Sequence, residues 1–441
     1  MIQKEEGAMD SPRKLAEGIL EKVLEGDGKS HLLLQECFAA HPALSARDRR
    51  FITGLVHGTV EYALFLDGKL RLISSVPPEK MKPAVRTVLR MGLYQLLFLD
   101  RVPASAAVNE SVRLIKARNM GALSGFVNAV LRAAAARTSW PACGRAEALS
   151  LPAWLYTELE ERFGAEKVEE IGQAFLAPSV LSLRINRSRE GSSFAEALME
   201  KDGWSVSCTE CAPPGGAAYS FLLASPKEEA LPLEECAAFR EGLVQPQDSG
   251  TMKAVSAADP RPGMKVLDLC AAPGGKSLQA ADSMNNQGEI LSCDLTAGKI
   301  KKIEDNRDRC GFSCIRACAA DAAVFDPGRE EAFDLVIADL PCSGLGVIGR
   351  KPEIKYRVTP QKIRELAALQ AQILEGAVRY VKPGGKLLYS TCTLTAEENE
   401  ENAARIAQAK GFRLLKEETL LPEKGRDGFY YSLFVREDKE A

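Results

Sequence analysis

Two segments place a cysteine just beyond an apolar run: Asp339-Leu-Pro-Cys342-Ser-Gly344 and Tyr389-Ser-Thr-Cys392-Thr393. If both runs are strands of one sheet, the two thiols face one pocket. A thiolate there can add to carbon 6 of a pyrimidine, which makes the otherwise unreactive carbon 5 enamine-like and able to take a methyl group. The proton on carbon 5 must then leave and the enzyme sulfur be expelled, which is work for a second basic group. The second cysteine can supply it, and spacing alone does not say which cysteine attacks.

A second constellation precedes these. Met264-Lys-Val-Leu-Asp268-Leu-Cys270 is an apolar run, followed by Ala271, Ala272, Pro273, Gly274, Gly275 and Lys276 and a helical stretch to Met284. This predicts strand, glycine turn and helix. The glycines let backbone approach a ligand, and the helix start offers free N–H groups to an anion such as a methionine carboxylate. The turn is neither GxGxxG nor a phosphate-binding P-loop. Three later acids sharpen the reading. Asp294 ends the run Gly288–Asp294, 26 positions after Asp268, where a carboxylate can bind two ribose hydroxyls; Asp321 follows Ile315–Ala319 and suits an adenine amino group; Asp339 ends Phe333–Ala338. All four acids are expected at the carboxyl ends of strands, the ligand edge of an open α/β sheet.

The elements that must position these residues fall into three regions, as 441 residues would suggest. Residues 8–140 carry apolar residues at helical spacing (Leu15, Ile19, Leu20, Val23; Phe51, Leu55, Val56, Val60), with Ser45 as a helix cap, and predict an all-α bundle of five to eight helices. After a Pro-, Gly- and Ser-containing linker, residues 150–236 predict a small α+β unit with a strand over 180–186. Residues 237–438 alternate apolar strands with longer helices, the pattern of a doubly wound α/β sheet.

Composition narrows the class. The chain is 46% hydrophobic and 27% charged, ordinary for a globular protein. Its longest conspicuous apolar run, Met91–Leu99, is too short to cross a membrane, and the charged start (Lys4, Glu5, Glu6, Asp10) lacks a secretory core, so a cytoplasmic protein without membrane contact is expected. No metal is expected: Cys208 and Cys211 form a lone CxxC pair, and His31, His41 and His57 supply no evident further ligands. Ten of the twelve cysteines read as small buried hydrophobes, Cys270 and Cys293 among them, and Cys310, Cys314 and Cys318 as a helix face. Net charge is −3, yet residues 82–137 hold nine basic against two acidic side chains, a net of +7 that is either an RNA phosphate footprint or a solvated helix face.

LDLCAAPGGK (267–276), the acids Asp294 and Asp321, DLPCSGLG (339–346), YSTCT (389–393) and LSLRIN (181–186) together resemble the bacterial ribosomal RNA cytosine methyltransferases of the Sun or Fmu type (RsmB). RRFITGLVHGTVEYALFLD (49–67) and FVNAVLR (126–132) resemble the NusB-like helical domain of that family. The resemblance covers nearly the whole chain. It implies a NusB-like RNA-binding domain, a small RRM-like domain and a Rossmann-like class I methyltransferase domain. It further implies S-adenosylmethionine held by Cys270, Ala271, Ala272, Pro273, Gly274, Gly275, Lys276, Asp294, Asp321 and Asp339, and a cytosine of small-subunit ribosomal RNA as target. Cys392 would be the nucleophile, Cys342 would release the product and Asp339 would hold the cytosine ring. No oligomer is expected. One departure stands out: the family's Val-Gln-Asp before the core is here Val244-Gln245-Pro246-Gln247-Asp248. Two other readings remain. An adenine or guanine N-methyltransferase would carry Asn/Asp-Pro-Pro-aromatic where this chain has Asp-Leu-Pro-Cys; an RNA-binding factor with a vestigial sheet would need neither both thiols nor the acids.

Overall fold

The computed structural model describes residues 11–178 and 180–437. The outermost limits of the first and third regions, residues 8 and 438, and the charged start up to Asp10 lie outside the described residues. The chain divides into two compact units, one holding the residues up to Leu176 together with Lys351–Arg357, the other holding Ala177–Arg350 and the residues from Val358 onward.

Between Pro12 and Ala135 the first unit contains seven α-helices among the described residues: Pro12–Leu24, Ser30–Ala40, Ala46–Glu61, Ala63–Arg71, Pro83–Phe98, Ala104–Ala117 and Ser124–Ala135. Local chemistry starts two of them. Ser11 accepts from Lys14 N ahead of a proline at the first helical position, and Ser45 accepts from Asp48 N at 3.1 Å. Leu20, Ile52, Leu55, Val88, Leu89 and Leu131 meet in one buried core. A Cβ on Gly58 would lie 2.0 Å from the Tyr94 ring, so glycine there is what lets helix 46–61 approach helix 83–98. Helices Ala153–Phe163 and Ala165–Leu176, grouped above with the small α+β region, belong to this unit; Gly172 abuts the Leu149 side chain.

The basic excess over 82–137 is neutralised in part, while Lys82, Arg101, Lys116, Arg132 and Arg137 stay exposed. Arg90 is buried in a two-bond pair with Asp67 (2.8 and 2.6 Å), Arg86 binds Glu25 (2.7 Å), Arg118 binds Glu17 and Glu21 (2.5 Å each), and Arg113 binds Glu110 (2.5 Å). Three of these four arginines take acids from outside the counted window, which a local charge sum does not register.

Residues 351–357 are a short insertion into this unit. Lys355 Nζ donates to Glu61 O and Tyr356 OH to Val60 O, both at 2.6 Å, so two carbonyls at the end of helix 46–61 gain partners. Glu353 accepts from Ser30 N and Oγ at 3.2 Å.

The second unit has two sheets. The smaller orders its antiparallel strands β2-β3-β1-β4, with β1 Leu181–Ile185, β2 Trp204–Cys211, β3 Tyr219–Pro226 and β4 Val244–Pro246. The larger comprises β5 Lys265–Asp268, β6 Glu289–Asp294, β7 Ile315–Ala319, β8 Phe333–Asp339, β9 Val381–Thr391, β10 Phe412–Leu420 and β11 Phe429–Arg436, ordered β10-β11-β9-β8-β5-β6-β7. The pairs among β5 to β9 are parallel, and β11 runs antiparallel to β9 and β10. Its two faces carry separate buried cores, which is why these strands read as continuous apolar runs. Strand order reverses at β5, so the crevice beyond β5 and β8 is the topological switch point.

The departure at 244–248 joins the two sheets. β4 pairs with β1, Gln247 N bonds Ser182 O, and Asp248 caps helix Ser249–Ala258 through Gly250 N at 2.8 Å. The buried Arg184 donates to Gln247 at 3.1 Å, and Gln247 donates to Gln279 on helix Gly275–Ser283 at 2.6 Å.

Two cysteine readings are corrected. Cys310 ends helix Ala297–Cys310, Gly311 at φ +79° terminates it, and Cys318 lies in β7, so Cys310, Cys314 and Cys318 share no helix face. Cys208 is an exposed strand residue rather than a buried hydrophobe. No group of three or more His, Cys, Asp or Glu side chains among the described residues is arranged to hold a metal ion. No helix among them is long and apolar enough to cross a membrane.

Candidate active site

β8 and β9 are parallel neighbours whose last paired residues are Asp339 and Ser390. Each chain then turns off the sheet, and the turns bring Cys342 and Cys392 together with their sulfurs 3.2 Å apart. Cys392 N also points at Cys342 Sγ, 3.3 Å away. The thiol of Cys342 is pushed well above its usual range by its hydrogen bond to Cys392 and by burial. Two sulfurs this close cannot both ionise, and Cys342 is the one held towards its thiol form; either sulfur can be the donor in the bond between them.

Asp339 sits at the same edge. Ser390 Oγ donates to its Oδ1 at 2.7 Å, and Lys276 Nζ, reaching from the glycine turn, forms an ion pair with its Oδ2. One carboxylate thus links the glycine turn to the two cysteine loops.

The glycine turn follows β5 as the residue pattern implies. Gly274 adopts φ +108°, which favours glycine, but Gly275 does not, and a Cβ at either position would meet nothing closer than 3.8 Å. Packing therefore does not demand glycine at 275, where a Cβ would make only ordinary contact with the Gln247 side chain. Beneath the turn, Asp268 is fully buried; Ser277 Oγ donates to one oxygen at 2.6 Å, and the other has no partner within the protein. Burial pushes its carboxyl up to about 7. Asp294 receives Ala272 N at 3.0 Å on one oxygen and Leu295 N and Lys299 Nζ on the other, at 2.7 and 2.8 Å. The Lys299 ammonium is half exposed and could yield its place to a hydroxyl pair. Asp321 is exposed and caps its own turn through Ala323 N at 3.0 Å. A glycine turn whose positions 274 and 275 are not crowded, an orphan buried acceptor and carboxylates at strand ends fit a nucleoside carrying an amino-acid tail.

Cys270, next to these acids, is pushed up to about 12, first by burial and then by Asp268, Asp294 and Asp339. A second thiol pair, Cys293 with Cys318 at 2.9 Å, spans β6 and β7 in register, and Cys293 is likewise raised to about 12 by burial. Such thiols stay protonated near neutrality, in keeping with packing residues.

Residue patterns missed what lies behind the cysteine loops. Glu398, in the turn before helix Glu400–Gln408, is wholly buried and accepts four hydrogen bonds: Ser343 N (2.8 Å) and Gln370 Nε2 (3.1 Å) on Oε1, Ser343 Oγ (2.5 Å) and Thr395 Oγ1 (2.9 Å) on Oε2. The available signal was Thr395-Ala-Glu-Glu398, a T-x-x-E pattern that reads as a helix-capping box.

Comparison with known proteins bears directly on this geometry. A family model described as 16S rRNA methyltransferase RsmB/F matches residues 255–435, and a NusB family model matches residues 10–136. A probable ribosomal RNA small subunit methyltransferase B of Bacillus subtilis is 35% identical, covering 94% of this chain and 93% of its own length. A similarly named protein of Synechocystis is 34% identical over 91% and 90%. Among solved structures, PH0851 superposes with a TM-score of 0.77 at 27% identity, covering 98% of this chain and 100% of its own. This chain belongs to the ribosomal RNA small subunit methyltransferase B (RsmB) family, with a NusB-family segment in its helical half.

Proposed function

We propose that this protein transfers a methyl group from S-adenosylmethionine to carbon 5 of a cytosine in small-subunit ribosomal RNA, through a covalent bond to Cys392. The 3.2 Å approach of Cys342 and Cys392, beside Asp339 at the ligand edge of the sheet, carries this reading. The cofactor supplies an electrophilic methyl. Residues 270–276 would surround it, Asp294 would take the ribose hydroxyls and Asp321 the adenine amino group.

Cys392 Sγ adds to carbon 6 of the cytosine, and Asp339 hydrogen-bonds the ring so that charge building on it is held. Carbon 5 then takes the methyl. Once the Cys392 sulfur is bonded to carbon it no longer repels a negative charge on its neighbour, so the part of the brake on Cys342 ionisation that Cys392 supplies is released when a base is needed, while that of burial remains. Cys342, having given up its own thiol proton to solvent, takes the proton from carbon 5 as a thiolate, the carbon 6–sulfur bond breaks with its electron pair returning to Cys392, and the carbon 5–carbon 6 double bond is restored. The target base must be unstacked to admit a thiol to carbon 6, so a single-stranded or extruded cytosine is the substrate form. All the proposed site residues lie in one chain, and the reading needs no second copy. A cytoplasmic site of reaction is part of the same proposal, supported by ribosomal RNA as the substrate.

The test mixes ribosomal RNA and S-adenosylmethionine with Cys342→Ala protein and, separately, Cys392→Ala protein, and looks on a denaturing gel for an RNA–protein adduct. An adduct with Cys342→Ala alone is expected. The reverse pattern would exchange the two roles, and no adduct with either variant would remove the covalent route.

A further inference from the structure

Glu398 accounts for the relation between the two thiols. Its four donors come from three segments: Ser343 beside Cys342, Thr395 three residues after Cys392, and Gln370 on helix Pro360–Tyr380. Thr393, which follows Cys392 directly, shares a hydrogen bond with Ser343 Oγ at 2.6 Å, so the Ser343 hydroxyl links Thr393 to Glu398. Gln370 Nε2 reaches Pro341 O at 2.8 Å as well, bracing the same loop from the other side. Four donors fill the acceptor sites of a carboxylate, and among the described residues no ion pair to a cation is found for it. Buried carboxylates without a cationic partner are costly to keep, and this one touches neither of the two sulfurs.

Its bonds are distributed unequally. Cys392 directly follows β9, whose final residue Thr391 is paired to Tyr430 of β11. Cys342 lies three residues beyond β8 in irregular backbone, and the next residue, Ser343, gives Glu398 both its N–H and its hydroxyl. The sheet therefore holds Cys392 directly, whereas Cys342 is held by loop contacts, the two bonds from Ser343 to Glu398 and the Gln370 brace on Pro341.

We infer that Glu398 is a positioning residue for the releasing thiol: through Ser343 it sets Cys342 against Cys392, and the elimination that frees methylated RNA depends on it more than the attack does. This rests on the covalent reading proposed above. Displacing Cys342 while Cys392 stays on its strand leaves addition and methyl transfer possible but starves the final step of its base, so enzyme accumulates as RNA adduct even though Cys342 is present. A displacement of about 1 Å commonly costs on the order of 10²-fold in rate.

The experiment uses the full-length chain with Glu398→Gln, which keeps the volume but turns one acceptor into a donor facing Ser343 Oγ and Thr395 Oγ1. Ser343→Ala, which deletes only the hydroxyl link, serves as the second variant, and Cys342→Ala as the reference. Three quantities are read: S-adenosylmethionine affinity, the RNA adduct on a denaturing gel, and the yield of Cys342–Cys392 disulfide on brief treatment with diamide, mapped by peptide mass. Unchanged cofactor affinity, adduct accumulation with about 10²-fold slower multiple turnover, a smaller loss in the first methyl transfer, and a reduced disulfide yield are expected. Wild-type turnover without adduct in Glu398→Gln, alongside adduct in Cys342→Ala, would overturn the positioning role and leave the covalent reading intact. Absence of adduct in Cys342→Ala would strike that reading itself. In that case an unchanged disulfide yield in both Glu398→Gln and Ser343→Ala would also overturn the positioning role, whereas a reduced yield would uphold it.

Discussion

Individual side chains in this site are defined by where their protons reside. Cys342 holds its proton beside Cys392, Cys270 and Cys293 are locked as thiols by burial, and Asp268 is a carboxyl raised to about 7. Asp268 gives a prediction of known sign. Its folded-state value lies above the ordinary 3.8, so the folded protein binds a proton that the unfolded chain releases between those limits. Its contribution is fully present below about pH 4, is lost as pH rises towards 7 by up to about 1.4 kcal/mol per pH unit, and is flat beyond. Asp268→Asn lacks this titration. Chemical denaturation from pH 5 to 8 should show wild type losing stability relative to Asp268→Asn as pH rises to 7; a constant difference would contradict the burial argument. The position of the candidate acids and cysteines at one sheet edge was legible because each follows an apolar run in sequence order. Glu398 was not, since two of its partners, Ser343 and Gln370, are 55 and 28 residues away and its local pattern matches an ordinary helix cap.

At the scale of elements, strand and turn signals transferred well: Leu181–Ile185 of LSLRIN became β1, the runs ending in Asp294 and Asp339 became strands bearing that acid at the last position, and the run written to Cys270 became a strand that stops at Asp268. Asp321 instead caps the turn after β7. Charge patterning transferred poorly. Arg90 lies in the basic stretch by sequence but spends its guanidinium on Asp67, one helix away, in a buried two-bond pair. Arg90→Ala should therefore destabilise the helical unit by about 3–5 kcal/mol, because an uncompensated carboxylate remains in the interior. The Arg90→Met, Asp67→Leu double variant should recover most of that loss. Urea unfolding of the three proteins checks this, and a loss below about 1 kcal/mol for Arg90→Ala would place the pair among ordinary surface ion pairs.

Over the whole molecule, the helical and α/β halves were legible from the change of hydrophobic period, but membership of residues 351–357 in the helical unit was not. Those seven residues stand between Arg350 and Val358 of the other unit, and what holds them is hydrogen bonding to the backbone and side chains of distant helices, at Glu61, Val60 and Ser30. Pattern reading registers runs, and a short segment secured by remote backbone carbonyls has none. The two cysteine motifs and the glycine turn, by contrast, are separated by up to 122 positions yet converge at one sheet edge because parallel strands end together. That convergence is what supports the proposal that carbon 5 of cytosine is the methyl acceptor. The most direct test incubates the purified protein with unmodified small-subunit ribosomal RNA and isotopically labelled S-adenosylmethionine, digests the RNA to nucleosides and identifies the labelled one by mass and chromatography. The account predicts label in 5-methylcytidine alone, abolished by Cys392→Ala; label in N4-methylcytidine, a methylated purine, or any product that survives Cys392→Ala would contradict it.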